Sequence, residues 1–278
     1  MYGTHDQWRP GMNVVITGAS SGIGRAMAGT FTRNGHAVLA VARREERLQA
    51  LCREMAENHL AAVHYLALDI TSPGAPQALF EEAVRVFGKV HVLINNAGMS
   101  PYQEFHEMAY HHLCQILSLN IKSLTELCYL FMAHMLAHGE PSHVVNVGSV
   151  GGYAPLPYFS VYTGSKHYVR AFTNLLSHEY RRTNIQVSAL HPGGSLTEFP
   201  VLAGQRLKKS AMRSMLTPEQ VAEKAYPAIL RGKRVIIPGA INNLAVLMGK
   251  LLPFPWAILV MEFIYQHTID RTMPTYPL

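Results

Sequence analysis

Apolar and polar positions along this chain alternate between two rhythms. Short runs rich in Val, Ile, Leu and Ala, "NVVITG" (13–18), "HAVLAVA" (36–42), "AVHYLAL" (62–68), "VHVLINN" (90–96), "SHVVNVG" (142–148) and "NIQVSALHP" (184–192), read as strands. Each of the first five is followed by a longer amphipathic stretch with room for a crossover helix. Near-continuous apolar strands separated in this way predict a mostly parallel sheet with helices on both faces, the doubly wound α/β class. "KRVIIPG" (233–239) adds a seventh strand. No repeat or low-complexity linker interrupts the pattern, so residues 1–278 are expected to form one domain with a core over about 11–239.

Beyond residue 239 the pattern changes to a hydrophobic, helical extension over about 240–278. Its run "LLPFPWAILVM" (251–261) is uncharged but only eleven residues long, and Pro253 and Pro255 interrupt it. A spanning helix needs about 20 apolar residues, so this run is not a membrane crossing. Three uses compete: a lid, a subunit interface, or a patch resting on a membrane through Phe254, Trp256, Phe263 and Tyr265 beside Lys250. Buried packing against the protein or a partner subunit is the leading expectation.

Composition narrows the function classes. The net charge of +6 comes from 24 basic and 18 acidic residues, and the basic ones form only short pairs such as Arg43-Arg44, Arg181-Arg182 and Lys208-Lys209. A nucleic-acid surface needs a clustered patch, so that partner is not expected. Cys52, Cys114 and Cys128 have neither metal nor redox spacing, and the opening "MYGTHDQWRPGMN" lacks the apolar core of a signal peptide. Buried free thiols in a reducing cytoplasm are the expectation, with membrane association as the tail's alternative. His134 and His138 stand four apart, but no carboxylate completes a ligand set, and no metal is expected.

Candidate chemistry begins where the first strand meets the first helix. "ITGASSGIGRAMA" places Gly18, Gly22 and Gly24 around Ser20 and Ser21. Such glycines let the backbone approach a pyrophosphate, and the following helix N-terminus offers N–H groups to the anion. At the end of the second strand a NAD site commonly carries an acidic residue for the ribose 2′-hydroxyl. This chain has Ala42, Arg43 and Arg44 there, and a guanidinium grips a 2′-phosphate through charge-assisted hydrogen bonds. NADP (NADPH) is therefore expected over NAD. Further on, Tyr162 precedes Lys166 by four residues, which on a helix puts both on one face.

These elements together resemble the short-chain dehydrogenase/reductase family. The resemblance rests on Thr17-Gly18-Ala19-Ser20-Ser21-Gly22-Ile23-Gly24, on Asn95-Asn96-Ala97-Gly98, on Asn120 in "SLNIKS" and on Ser149 in "NVGSVGG". Tyr162, Lys166 and the pair Pro192-Gly193 follow in the family's order, so the likeness spans residues 13 to about 200. It implies a Rossmann-type fold, a homodimer or homotetramer, and NADP(H)-dependent interconversion of a carbonyl and an alcohol. It also implies site roles. Gly18, Ser20, Ser21, Gly22 and Gly24 would bind the cofactor's phosphates, Ile23 would pack near the pyrophosphate and nicotinamide, and Arg43 and Arg44 would lie at the 2′-phosphate. Asp69 would contact the adenine with Ile70 beside it, and Asn96, Ala97 and Gly98 would line the adenosine and ribose side. Pro192 and Gly193 would bind the cofactor after the sixth strand, and Thr197 its carboxamide or a phosphate.

Hydride transfer to a ketone builds negative charge on the carbonyl oxygen, which calls for a proton donor. A free tyrosine, with a pKa of about 10, is a sluggish acid at neutral pH. A nearby ammonium is expected to pull that value down. In the family's pattern Tyr162 is thus the acid, Lys166 its partner and a ribose ligand, and Ser149 a donor to the substrate oxygen. Asn120 would hold a water that feeds protons to Lys166. The segment 194–216 would cover the substrate. Its Leu196, Phe199, Val201, Leu202, Met212, Met215 and Leu216, with Tyr153, Pro155, Leu156 and Phe159, would wall an apolar pocket rimmed by Arg206, Lys208, Lys209 and Arg213. A hydrophobic, lipid-like carbonyl compound is the expected substrate. A non-catalytic NADP(H)-binding protein and a membrane-peripheral protein are the rival readings.

Overall fold

The computed structural model describes residues 11–58 and 60–268; the opening segment and the end of the extension lie outside the described residues, as does the side chain of Tyr265. Seven parallel strands form one sheet: β1 (Asn13–Thr17), β2 (Ala37–Ala42), β3 (Val63–Ala67), β4 (Val92–Asn95), β5 (Ser142–Val147), β6 (Ile185–Leu190) and β7 (Val235–Ile236). Their spatial order is β3-β2-β1-β4-β5-β6-β7. Between them run α1 (Gly22–Arg33), α2 (Glu45–Glu57), α3 (Ala75–Phe87), α4 (Tyr110–Leu117), α5 (Leu124–His138) and α6 (Ser160–Glu179). The short helices α7 (Phe199–Leu202) and α8 (Lys209–Met212) precede α9 (Pro218–Leu230), α10 (Ala240–Leu251) and α11 (Phe254–Thr268).

A strand covered on both faces must be apolar on both, and β1 shows the division. Val14 and Ile16 join Met27 and Phe31 of α1, Leu48 and Leu51 of α2, and Ala222 and Ala225 of α9 in one core. Val15, one pleat away, joins Leu79 of α3, Phe131 of α5 and Val169 of α6 in the other. The strand order reverses between β1 and β4, and that reversal opens a crevice at the carboxyl ends of the central strands. The one helix among the described residues long and apolar enough to cross a membrane, Tyr110–His138, is the core helix on this sheet.

Two local departures matter for the site. Between α4 and α5 the helix widens into a π turn over Ser118–Ser123, a geometry frequent at functional sites. The extension, the second of them, packs on the rest of the fold through only part of its surface. α10 docks through Asn242, Val246 and Gly249: a Cβ on Gly193 would lie 2.0 Å from Asn242 Oδ1, and one on Gly249 2.8 Å from the Tyr153 carbonyl. Those residues share one narrow helical face. The apolar positions Ile241, Leu244, Leu247 and Leu251 fall outside it and are exposed, as are Phe254, Trp256, Leu259 and Phe263 of α11.

Candidate active site at the carboxyl ends of the central strands

The phosphate turn is built as its glycines require. Gly22 has φ 54°, in the left-handed region, and a Cβ on Gly24 would lie 2.4 Å from the Gly18 carbonyl oxygen. Only glycine lets α1 close this tightly on the end of β1. Beneath the turn, Asn96 Nδ2 donates to the carbonyls of Thr17 (2.9 Å) and Gly18 (3.3 Å), while Thr17 Oγ1 accepts from the Asn96 and Ala97 N–H groups. Asn96 and Ala97 therefore buttress the turn from below. Ile23 packs on the core at the start of α1. Ser21 occupies the N-cap without a side-chain cap bond, and no acidic residue sits in the first turn, which suits a bound anion.

The two arginines divide. Arg44 Nη2 donates to Ser21 Oγ (2.7 Å) and Ser20 Oγ (3.2 Å), bringing a guanidinium to the phosphate turn. Arg43 is 66% exposed and stands 3.7 Å from the Asp69 carboxylate. Partial burial opposes ionisation of Asp69, but hydrogen bonds from Thr71 and the Arg43 charge outweigh it and hold the carboxyl below its ordinary value. Ile70 is buried, and its carbonyl accepts from Ser123 Oγ (2.8 Å). Two hydroxyls, a guanidinium and a helix N-terminus with no acid in its first turn fit the phosphates of a dinucleotide.

Ser149 lies just beyond β5, with its Oγ accepting from the Gly151 N–H at 3.0 Å. Its side chain also acts on the phenol of Tyr162, in the first turn of α6, where it favours the ionised form. Lys166, one turn on, is buried and donates from Nζ to the Val147 carbonyl at 2.8 Å, 5.6 Å from the Tyr162 ring centroid. Burial pushes the Tyr162 phenol up, opposed by the Ser149 side chain, and lowers Lys166 to about 8. The expected depression of the tyrosine is thus reversed: desolvation outweighs an ammonium whose hydrogen bond goes to the strand carbonyl.

Asn120, in the π turn, donates from Nδ2 to the Met99 carbonyl (3.0 Å) and Ser165 Oγ (3.1 Å), and its Oδ1 accepts from the Met99 N–H (3.1 Å). Its side-chain amide therefore pins the loop after β4 to α6. A Cβ on Gly98 would come within 3.4 Å of Asn120 Oδ1 and 3.5 Å of Lys166 Nζ, so the three positions converge.

After β6, the Pro192 carbonyl accepts from the Val150 N–H at 3.0 Å, tying this loop to the one bearing Ser149. Gly193 abuts α10, as described. Thr197 lies over the phosphate turn, its Cγ2 3.2 Å from a Cβ built on Gly22. Two residues here escaped the sequence reading. His191 is buried beside Ser149, with Nδ1 3.1 Å from the Ser149 carbonyl, and burial lowers its pKa to about 4. Glu198 accepts from both Arg44 (2.9 Å) and Arg47 (2.6 Å). The only sequence signals were a histidine before the Pro-Gly pair and an acid after Thr197.

The apolar wall is smaller than expected. Phe159, Tyr162 and Ala203 cluster with Tyr102, Leu156 and Phe199, whose ring lies 5.5 Å from that of Tyr162. Leu196, Val201, Leu202 and Met212 are exposed instead. Tyr153 turns away as well: its ring meets His191 and lies between Arg170 (4.6 Å) and Lys250 (5.2 Å). An apolar cavity of about 410 Å³ opens between Pro155–Pro157, α6 and α11, with Leu156, Thr163, His167, Phe254 and Ile258 in its wall.

The sequence pattern of the family described as short chain dehydrogenase matches residues 12–206. Sulfoacetaldehyde reductase 2 of Chromohalobacter salexigens is 33% identical over 218 residues, covering 76% of this chain and 84% of the relative. A short-chain dehydrogenase from Sphingobium yanoikuyae, solved with NADPH, superposes with a TM-score of 0.75 at 28% identity, covering 95% of this chain and 99% of its own. A short chain dehydrogenase/reductase from Burkholderia phymatum, solved with NAD, superposes with a TM-score of 0.77 at 26% identity, covering 97% and 98%.

Proposed function

The chain belongs to the short chain dehydrogenase family, and from that premise we propose that it reduces a hydrophobic carbonyl compound to an alcohol with NADPH. As a member it is an oxidoreductase that uses a nicotinamide cofactor to interconvert a carbonyl and an alcohol. The observation that carries the catalytic reading is the buried set of Ser149, Tyr162 and, one helical turn on, Lys166, its Nζ 5.6 Å from the Tyr162 ring.

The bound nicotinamide supplies the hydride. Tyr162 gives its phenolic proton to the substrate oxygen as negative charge develops there. A phenol pushed up by burial is fully protonated at neutral pH, which suits the reductive direction. Ser149 donates to the same oxygen from a position its neighbours have already fixed, so no reorganisation is needed as charge builds. Lys166, charged below about pH 8, steadies the phenolate left behind. Asn120 keeps the loop after β4 seated against α6 throughout.

The choice of NADPH is supported by Arg44 at Ser20 and Ser21, by Arg43 nearby, and by Ala42 where an acid would oppose a 2′-phosphate. Phe159, Phe199, Leu156 and Tyr102 around Tyr162 support an apolar substrate. A second part of the reading concerns the extension, whose exposed apolar face supports peripheral contact with a membrane surface. The Lys208 N–H donates to the Thr268 carbonyl at 2.9 Å, which sets the basic segment 206–213 beside the end of α11, where anionic headgroups would meet it. A second copy of the chain is the competing occupant. A reducing, cytoplasmic location is in keeping with free thiols at Cys52, Cys114 and Cys128.

The test follows NADPH and NADH consumption against a panel of hydrophobic ketones and aldehydes. Wild type should prefer NADPH, and Tyr162→Phe should lose roughly 10²–10⁴-fold in turnover while still binding the cofactor. Turnover retained by Tyr162→Phe would remove the acid role, and a preference for NADH would remove the cofactor reading.

A further inference from the structure

Glu198 joins the two halves of the site. Its Oε2 accepts from Arg44 Nη1 at 2.9 Å and its Oε1 from Arg47 Nη1 at 2.6 Å. The same Arg44 guanidinium donates to Ser20 and Ser21 of the phosphate turn. On one side of Glu198, Thr197 lies over Gly22; on the other, Phe199 packs its ring 5.5 Å from that of Tyr162. One carboxylate thus ties the arginine at the phosphate turn to the segment that covers the substrate end.

We propose that Glu198 is a displaceable counter-ion: it holds Arg44 in the place of the cofactor's 2′-phosphate, and so straps the segment after β6 over the cleft until a 2′-phosphorylated cofactor binds. The proposal rests on the NADP(H) reading above. A phosphomonoester and a carboxylate seek the same fork of N–H donors, and the phosphate brings more charge and a third acceptor oxygen. Arg44 therefore exchanges Glu198 for the phosphate, and the two anions, left as neighbours, repel. Arg44 and Glu198 are 40% and 41% exposed, so water screens their ion pair and the exchange is cheap. After Arg44 is lost the strap is held by Arg47 alone, a single exposed ion pair too weak to keep it shut. A cofactor without the 2′-phosphate has nothing to offer Arg44, and the strap stays closed. Glu198 is on this view a positioning and specificity residue: it links the choice of cofactor to access at Tyr162.

The experiment uses 2′,5′-ADP and 5′-AMP as probes with and without the phosphate. Each is titrated calorimetrically into wild type, Glu198→Gln and Glu198→Asp, and tryptic cleavage within 206–213 is timed in parallel. Glu198→Gln should bind 2′,5′-ADP roughly two- to fivefold tighter, the range set by an exposed ion pair, with 5′-AMP unchanged. Glu198→Asp keeps the charge and should behave as wild type. Saturating 2′,5′-ADP should speed cleavage of the wild-type segment and 5′-AMP should not, whereas Glu198→Gln should be cut fast without either. Weaker or unchanged 2′,5′-ADP binding by Glu198→Gln overturns the counter-ion role while leaving the cofactor reading intact. Equal affinity of wild type for both probes overturns the NADP(H) reading itself, and the strap with it.

Discussion

Lys166 loses part of its affinity for a proton because burial penalises the ammonium, which lowers its pKa to about 8. The consequence for stability has a definite sign. Below about 8 the folded and unfolded chains both hold the proton, and the cost of the buried charge is present in full. Between about 8 and the ordinary 10.5 only the unfolded chain holds it, so the Lys166 contribution to stability rises with pH. Tyr162, pushed up from 10.0, acts in the opposite sense only above that value. Urea titrations of wild type and Lys166→Met at neutral pH and at about pH 9 should show a rise in wild type that the variant lacks. Reduction should meanwhile fade above about pH 8 as the ammonium is lost, and a profile of kcat/KM still flat at about pH 9 would mean that its charge is not needed. At this scale the spacing of Tyr162 and Lys166 was legible, because a single helical turn sets it. His191 and Glu198 were not, because their partners Ser149 and Arg44 lie 42 and 154 residues away and only the assembled fold brings them near.

Helices α1 to α6 and α10 have no side-chain cap and rely on their buried faces, whereas α9 is also held at its end. At the start of α9, Thr217 Oγ1 accepts from the Gln220 N–H (3.2 Å) and Gln220 Oε1 from the Thr217 N–H (3.0 Å), a reciprocal cap. Thr217→Ala should cost about 1 kcal/mol, read as a lower urea midpoint at unchanged slope. In α5, Phe131 is fully buried and meets Phe80 edge-on at 5.3 Å. Phe131→Ala should cost about 3–5 kcal/mol, several times the loss of the cap. The seven strands could be read from apolar runs to within two residues or so at most ends, since a strand buried on both faces leaves an unbroken apolar signature. The π turn over Ser118–Ser123 left none, because one widened turn barely shifts the apolar spacing that α4 and α5 share. Pro253 and Pro255 marked the break between α10 and α11, but not which face would stay uncovered.

Across the whole molecule, sheet order and chemistry coincide. The reversal between β1 and β4 sets the phosphate turn beside the loops that carry Gly98 and Ser149. That much follows from alternating strands and crossover helices. The extension did not follow, because the spacing of Ile241, Leu244, Leu247 and Leu251 reads the same whether protein, lipid or water lies outside it. Leu247→Glu combined with Phe263→Glu should leave stability within roughly 1 kcal/mol and turnover of a small soluble ketone intact, since both side chains are exposed. The pair should nevertheless abolish flotation with anionic vesicles; flotation equal to wild type would remove the membrane contact. The exposed position of Trp256, one of two tryptophans in the sequence, has a practical consequence. With Trp8 replaced by Phe, the remaining indole emission comes from α11 alone. It would shift to the blue when that helix enters lipid or meets a second copy, and dilution would reverse the shift only in the second case. The molecule thus carries its own optical gauge of what its tail touches.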